Sequence, residues 1–165
     1  MPISVRRVKA GDRAWVRDFG TERWGSDLVA YSYACYVPSE LDGLVAELDG
    51  EPSGLLTFVR EDSTLHIVSL DARVRSVGVG TALLDAAARL ATDEGRRFLR
   101  VTTTNDDLDS LRFYQRRGFR LVDLMCGGAD AARLLKPQIP RVGEHGIPRR
   151  DEVVLEREVW PAEVA

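Results

Sequence analysis

Lysine, histidine and cysteine are scarce in this sequence, and each shortage removes a class of function. Only Lys9 and Lys136 are lysines among 23 basic residues, which face 26 acidic ones for a net charge of −3. That balance excludes a strongly basic nucleic-acid binder. The arginine skew suits phosphate recognition by guanidinium forks. The arginines are scattered along the chain, however, which fits a coding bias, so the skew carries little weight. The two histidines, His66 and His145, have no Ser/Asp or Cys partner at a recognisable spacing. Neither a hydrolase triad nor a metal centre is therefore expected. Cys35 and Cys126 lie far apart and outside any CxxC pattern, as expected for buried reduced thiols in a cytoplasmic protein. No apolar run approaches the ~20 residues of a membrane span. Arg6 and Arg7 lead into Val8, Lys9 and Ala10, not into a signal-peptide core.

What remains is an ordinary globular composition of 165 residues, 44% hydrophobic and 30% charged, expected to form one domain over residues 1–165. Periodicity predicts strands at 3–8, 44–48, 54–59, 65–70, 98–103, 119–125 and 153–159. The Asp49-Gly50 pair between the second and third of these marks a hairpin. Leu83, Leu84, Ala87, Leu90 and Ala91 fall at helical spacing within a helix over 80–92, stopped by Gly95. A second helix spans 108–117 and ends at Gly118. A mixed segment runs from Gly11 to about Phe19, and helical structure is expected at 27–33 and as one turn at 130–135. Antiparallel hairpins followed by a βαβ crossover define an α+β fold around a mixed sheet.

The most informative stretch is Arg75-Ser76-Val77-Gly78-Val79-Gly80-Thr81, between a strand and the long helix. The first N–H groups of a helix lack intrahelical partners and carry partial positive charge. Gly78 and Gly80 have no Cβ, so a phosphate can approach the backbone, with Arg75 beside it. A tight turn in which the glycines only relieve sterics fits these seven residues equally well. A dinucleotide-binding loop fits worse, because the third glycine position is Leu83 and no acid follows about 20 residues on. A Walker loop fails for want of Gly-Lys-Ser/Thr. Downstream, Phe113-Tyr114-Gln115-Arg116-Arg117-Gly118-Phe119 closes the second helix. Taken alone, Tyr114 reads first as a packing residue with a satisfied hydroxyl.

Together, Arg75-x-x-Gly78-x-Gly80 and Phe113-Tyr114-x-x-x-Gly118-Phe119 resemble the signature of the GCN5-related N-acetyltransferase (GNAT) superfamily, most strongly over residues 65–119. The 136–140 and 146–152 stretches also look like those of some bacterial members. The resemblance implies a GNAT-like sheet with helices on both faces and acetyl-CoA bound where two parallel strands splay apart. It implies backbone hydrogen bonds from Val68, Ser69 and Leu70 to the pantetheine arm. The pyrophosphate would lie on Arg75, Ser76, Val77, Gly78, Val79, Gly80 and Thr81, and Asn105 would be a further donor contact. Tyr114 matches the tyrosine that protonates the leaving thiolate. The expected reaction is direct acetyl transfer to a primary amine in a ternary complex, without metal. The partners are then a small-molecule or peptide amine, with room for a homodimer and with neither nucleic acid nor membrane. A non-catalytic acyl-CoA-binding module is the alternative.

A lysine-like acceptor is neutral only about once in a thousand molecules near pH 7, a barrier of roughly 4 kcal/mol, so a base or water chain must take its proton. Some members carry a glutamate in the strand before the tyrosine helix; here that strand reads Val101-Thr102-Thr103-Thr104. Asp107 stands seven residues before the tyrosine, where many members have asparagine. Asp71, His66 and Glu47 are the candidate bases. The proline-broken segment 127–150, with 24–36, reads either as a wall over the acceptor site or as a surface excursion.

Overall fold

The computed structural model describes residues 2–159. Seven of its strands form one sheet: β1 (Ile3–Arg7), β4 (Asp42–Leu48), β5 (Glu51–Glu61), β6 (Thr64–Ala72), β7 (Phe98–Thr104), β8 (Arg120–Met125) and β9 (Glu152–Glu158). Their spatial order is β1-β4-β5-β6-β7-β9-β8. Only β6 and β7 run parallel; every other neighbouring pair is antiparallel. The β4–β5 hairpin turns on Asp49 and Gly50 with φ of 53° and 82°, the doubly left-handed geometry that matches strand twist.

Alternation along the strands gives the sheet two apolar faces. On one, α2 (Val79–Asp93) lays Val79, Leu83, Leu84 and Ala87 against Leu44, Leu56, Leu65, Ile67 and Leu99. Beside it α3 (Leu108–Arg116) brings Tyr114 to Phe119, Val153 and Leu155 in the same core. Residues such as Leu83 and Leu84, fully enclosed here, each contribute about 1.5–3 kcal/mol relative to exposure. On the opposite face α1 (Arg13–Trp24) buries Val16 and Phe19 on Val45 and Leu55. The expected α+β architecture is thus realised.

Three local expectations need correction. Residues 27–33 are not helical but enter a small hairpin, β2 (Val29–Ala30) with β3 (Cys35–Tyr36), closed by a bond from the Tyr31 N–H to the Ala34 carbonyl at 2.8 Å. Tyr31, Ser32 and Tyr33 each hydrogen-bond a residue of the main sheet, and these tertiary bonds override weak helix propensity. The single turn expected near 130–135 is a longer helix, α4 (Gly128–Leu135). Both cysteines are exposed, not buried, because Cys35 lies on the small hairpin and Cys126 in the turn before α4.

The parallel pair holds the main functional consequence. β6 and β7 pair only from Thr64↔Phe98 to Ile67↔Val101. Beyond that point β6 continues to Ala72 and β7 to Thr104 without pairing to each other. The divergence starts at a bulge: β5 pairs Thr57 with Ser69 and Phe58 with Ile67, leaving Val68 as the extra residue. Bulges bend and twist a strand, so Val68 turns β6 away from β7.

Candidate active site

A cleft of about 610 Å³ occupies this divergence. Its floor is Val68, Ser69 and Leu70 on β6 and Val101 to Thr104 on β7. One wall comes from α3 through Asp107, Ser110 and Tyr114; the other comes from Tyr31, Ala129, Ala132, Lys136 and Glu152. The cleft therefore passes through the sheet, with α3 on one side and the 24–36 and 127–150 segments on the other. Among the described residues the β7-facing edge of β6 past Ile67 pairs with no strand, and its backbone suits an extended polar chain as an added strand would.

Tyr114 is buried yet lines the cleft. Burial raises its pKa, with the nearby charges of Asp107 and Asp71 adding to the effect. The phenol therefore stays protonated at neutral pH and can donate. Asp107 has a local task as the α3 N-cap: its carboxylate accepts from the Ser110 N–H at 3.1 Å and the Thr103 hydroxyl at 2.9 Å.

The glycine turn opens α2. Gly78 is the N-cap residue with φ of 91°, and Ser76 before it is also left-handed at 65°. A Cβ at position 80 would come within 3.1 Å of the Phe113 ring, so Gly80 lets α3 pack on the first turn of α2. The guanidinium of Arg117 lies 3.8 Å from the Phe113 ring centre and donates to the Thr81 hydroxyl at 2.9 Å. This puts a cation beside the helix start that the sequence motifs had not singled out. Arg75 is largely exposed and reaches Asp109 at 3.9 Å.

Other candidates are held by partners. Asn105 donates to the Pro148 carbonyl at 2.9 Å and accepts from the Arg150 and Asp151 N–H groups, both at 3.0 Å. Its amide thus anchors the 148–151 stretch. Next to it, Asp106 is fully buried and takes a bond from Arg149 Nη2 at 2.9 Å and from the Glu144 N–H at 3.0 Å. Burial opposes its ionisation, but the bonds from Arg149, Thr104 and Glu144 outweigh it and hold the carboxyl below its usual range. Asp71 is gripped by Arg23 through both oxygens, at 2.9 and 3.1 Å, and Glu47 is bonded to Arg6 at 3.2 Å. One set of potential metal ligands occurs among the described residues, Asp109, Glu144 and His145, outside the cleft lining.

His66 is part of a chain of hydrogen bonds. Thr102, in the cleft floor, shares a 3.1 Å bond with the Tyr33 hydroxyl; that hydroxyl shares another, also 3.1 Å, with His66 Nε2. His66 Nδ1 lies 3.4 Å from Glu61, whose carboxylate reaches solvent. Burial lowers the His66 pKa, and Glu61 opposes that shift. The second face is further tied down by Tyr31, whose hydroxyl donates to the Val68 carbonyl at 2.5 Å. Lys136 donates from Nζ to the Trp24 and Leu28 carbonyls at 3.0 and 2.7 Å, joining the two segments of that wall.

A bulged, splayed parallel pair followed by a glycine turn, with a buried tyrosine beside the cleft, is the arrangement that the sequence resemblance implies. The model of the Acetyltransferase (GNAT) family matches residues 13–119. The chain belongs to that family. It is 37% identical over 145 residues to the uncharacterized protein YxbD of Bacillus subtilis (strain 168), covering 87% of this chain and 91% of that one. An IAA acetyltransferase from Bacillus cereus ATCC 14579 shares the fold with a TM-score of 0.72 at 20% identity, covering 95% of this chain and 99% of that one. A GNAT acetyltransferase from Elizabethkingia anophelis, solved with acetyl-CoA bound, aligns with a TM-score of 0.67 at 22% identity, covering 94% and 97%. No helix among the described residues is long and apolar enough to cross a membrane.

Proposed function

We propose that the protein is a cytoplasmic N-acetyltransferase that moves the acetyl group of acetyl-CoA to a primary amine by direct attack in a ternary complex. The observation that carries this reading is Tyr114, a buried phenol with a raised pKa in the wall of a cleft floored by the unpaired edge of β6.

The donor occupies the α3 side. Backbone groups of Val68, Ser69 and Leu70 hold the pantetheine arm; the Ser69 side chain is already spent on Thr57, at 2.5 Å. Arg75 to Thr81 hold the pyrophosphate, through amides at the head of α2 and the Arg75 charge. Arg117 reinforces this end through Thr81. Asn105 enters as a positioning residue, because its amide fixes 148–151.

The amine nitrogen attacks the thioester carbonyl, and the oxyanion is met by an N–H near Leu70. Collapse breaks the carbon–sulfur bond, and Tyr114 gives the departing sulfur its proton. The nitrogen sheds its own proton along Thr102, Tyr33 and His66 toward Glu61. In one self-consistent assignment Thr102 donates to Tyr33, Tyr33 to His66 Nε2, and His66 Nδ1–H to Glu61. The neutral imidazole, kept so by burial, is then the acceptor group of the chain.

The test is release of free CoA thiol across a panel of amines. Turnover with Tyr114→Phe reduced and donor affinity retained supports the reading. Acetyl-CoA binding without thiol release on any amine would instead favour a non-catalytic acyl-CoA-binding module.

A further inference from the structure

Two carboxylates among the described residues are almost wholly buried, Asp106 and Glu152. Asp106 has Arg149 at 2.9 Å. Glu152 has no lysine, arginine or histidine nitrogen within 4.0 Å among the described residues. Its hydrogen-bonding partners are both on Ser32: the hydroxyl donates to Oε1 at 2.5 Å and the N–H to Oε2 at 3.0 Å. Neutral donors soften the cost of burying a carboxylate but do not cancel its charge. Each carboxylate oxygen can accept two hydrogen bonds, so both keep one acceptor position.

Glu152 is also part of the cleft wall, on the side away from Tyr114's helix. It opens β9 opposite Thr104 and Met125. The first residue of α4 closes behind it, since a Cβ on Gly128 would come within 2.8 Å of its Cγ and Oε1. The Tyr31 ring and the alanines 129 and 132 line the same wall. Lys136, the other buried charge there, is turned to two backbone carbonyls.

We infer that Glu152 is the recognition site for a second cation on the acceptor, which makes the preferred substrate a dibasic amine. The inference rests on the transferase reading above and names its substrate class. The carboxylate does not serve the reacting nitrogen itself: an anion beside that nitrogen favours its charged, unreactive form. Register supports a separate position. Glu152 lies one strand across and two residues along from Thr102, about 8 Å between Cα positions at standard strand spacing. A few methylenes between the two nitrogens bridge that distance, and the aromatic and alanine wall suits them.

The test compares three acceptors of one length with the wild-type protein: cadaverine, n-pentylamine and δ-aminovalerate. They carry a cation, nothing or an anion at the far end. A charge-assisted bond predicts kcat/KM for cadaverine about 10- to 100-fold above n-pentylamine, with δ-aminovalerate poorest. Glu152→Gln, with its fold checked by acetyl-CoA binding heat, should bring the cadaverine to pentylamine ratio close to one. Equal turnover of the three amines, or a ratio unchanged in the variant, overturns the inference while leaving the transferase intact. Absence of thiol release with every amine overturns the transferase reading and this inference with it. Should the variant fail to fold, the wild-type ranking decides by itself.

Discussion

The two sides of the cleft are built in opposite ways. The α3 side comes from one continuous stretch, β6 through the glycine turn to α2, β7 and α3, in which neighbours in sequence are neighbours in space. The opposite side is assembled from segments far apart in the chain: Ser32 meets Glu152 across 120 residues, Lys136 meets Leu28 across 108, and Arg149 meets Asp106 across 43. In the proposed reading, one side uses backbone, glycine and a phenol for a donor of constant chemistry. The other uses side-chain hydrogen bonds, which can be exchanged residue by residue to suit a particular acceptor.

Substitutions on the two sides should therefore separate donor from acceptor parameters. The largest effect is expected from Gly78→Asp. Aspartate tolerates the left-handed conformation better than most residues, so the fold survives while a negative charge faces the diphosphate. Calorimetry should show acetyl-CoA affinity reduced roughly 100-fold or more; retained affinity would remove the glycine turn from the donor site. Next comes Tyr114→Phe, for which kcat should fall about 100-fold with donor affinity nearly unchanged, the scale of a lost general acid. An unaltered kcat would return Tyr114 to a packing role.

On the other side, Asp106→Asn weakens the anchor of the 141–151 stretch. Urea unfolding should report a loss of about 2 kcal/mol, the scale of a buried charge-assisted bond. Acceptor KM should rise with no change in acetyl-CoA affinity, and a change confined to the donor would break the division between the sides. The smallest effect concerns pH. His66 has a folded pKa below its unfolded value, so the unfolded chain binds more protons in that window. Its contribution to stability is complete above about pH 6.5 and declines as pH falls toward the folded pKa. Melting temperature and kcat/KM should both decline on acidification through that range, and His66→Gln should flatten the slope.

The same contrast explains what could be read in the sequence. Gly78, Gly80 and Tyr114 announce themselves because a helix start, a close helix contact and a helix end impose local spacing. The Asp49-Gly50 hairpin and the α2 apolar stripe are visible for the same reason. Residues 27–33 read as helical in sequence but enter a hairpin, because the bonds from Tyr31, Ser32 and Tyr33 go to strands that no local window contains. Glu152 gave no signal, since the first polar residue of a closing strand reads as a surface position. Arg117 stood inside a recognised motif, but its stacking on Phe113 and its bond to Thr81 depend on how α3 crosses α2.

The most direct measurement is the structure of the protein with acetyl-CoA bound. The thioester should lie beside Val68 to Leu70, with its sulfur within about 3.5 Å of the Tyr114 hydroxyl, near-attack distance for proton transfer. The diphosphate should sit on the amides that open α2. A coenzyme bound away from the splay of β6 and β7, or with its sulfur remote from Tyr114, would contradict the assignment of this cleft as the reaction site.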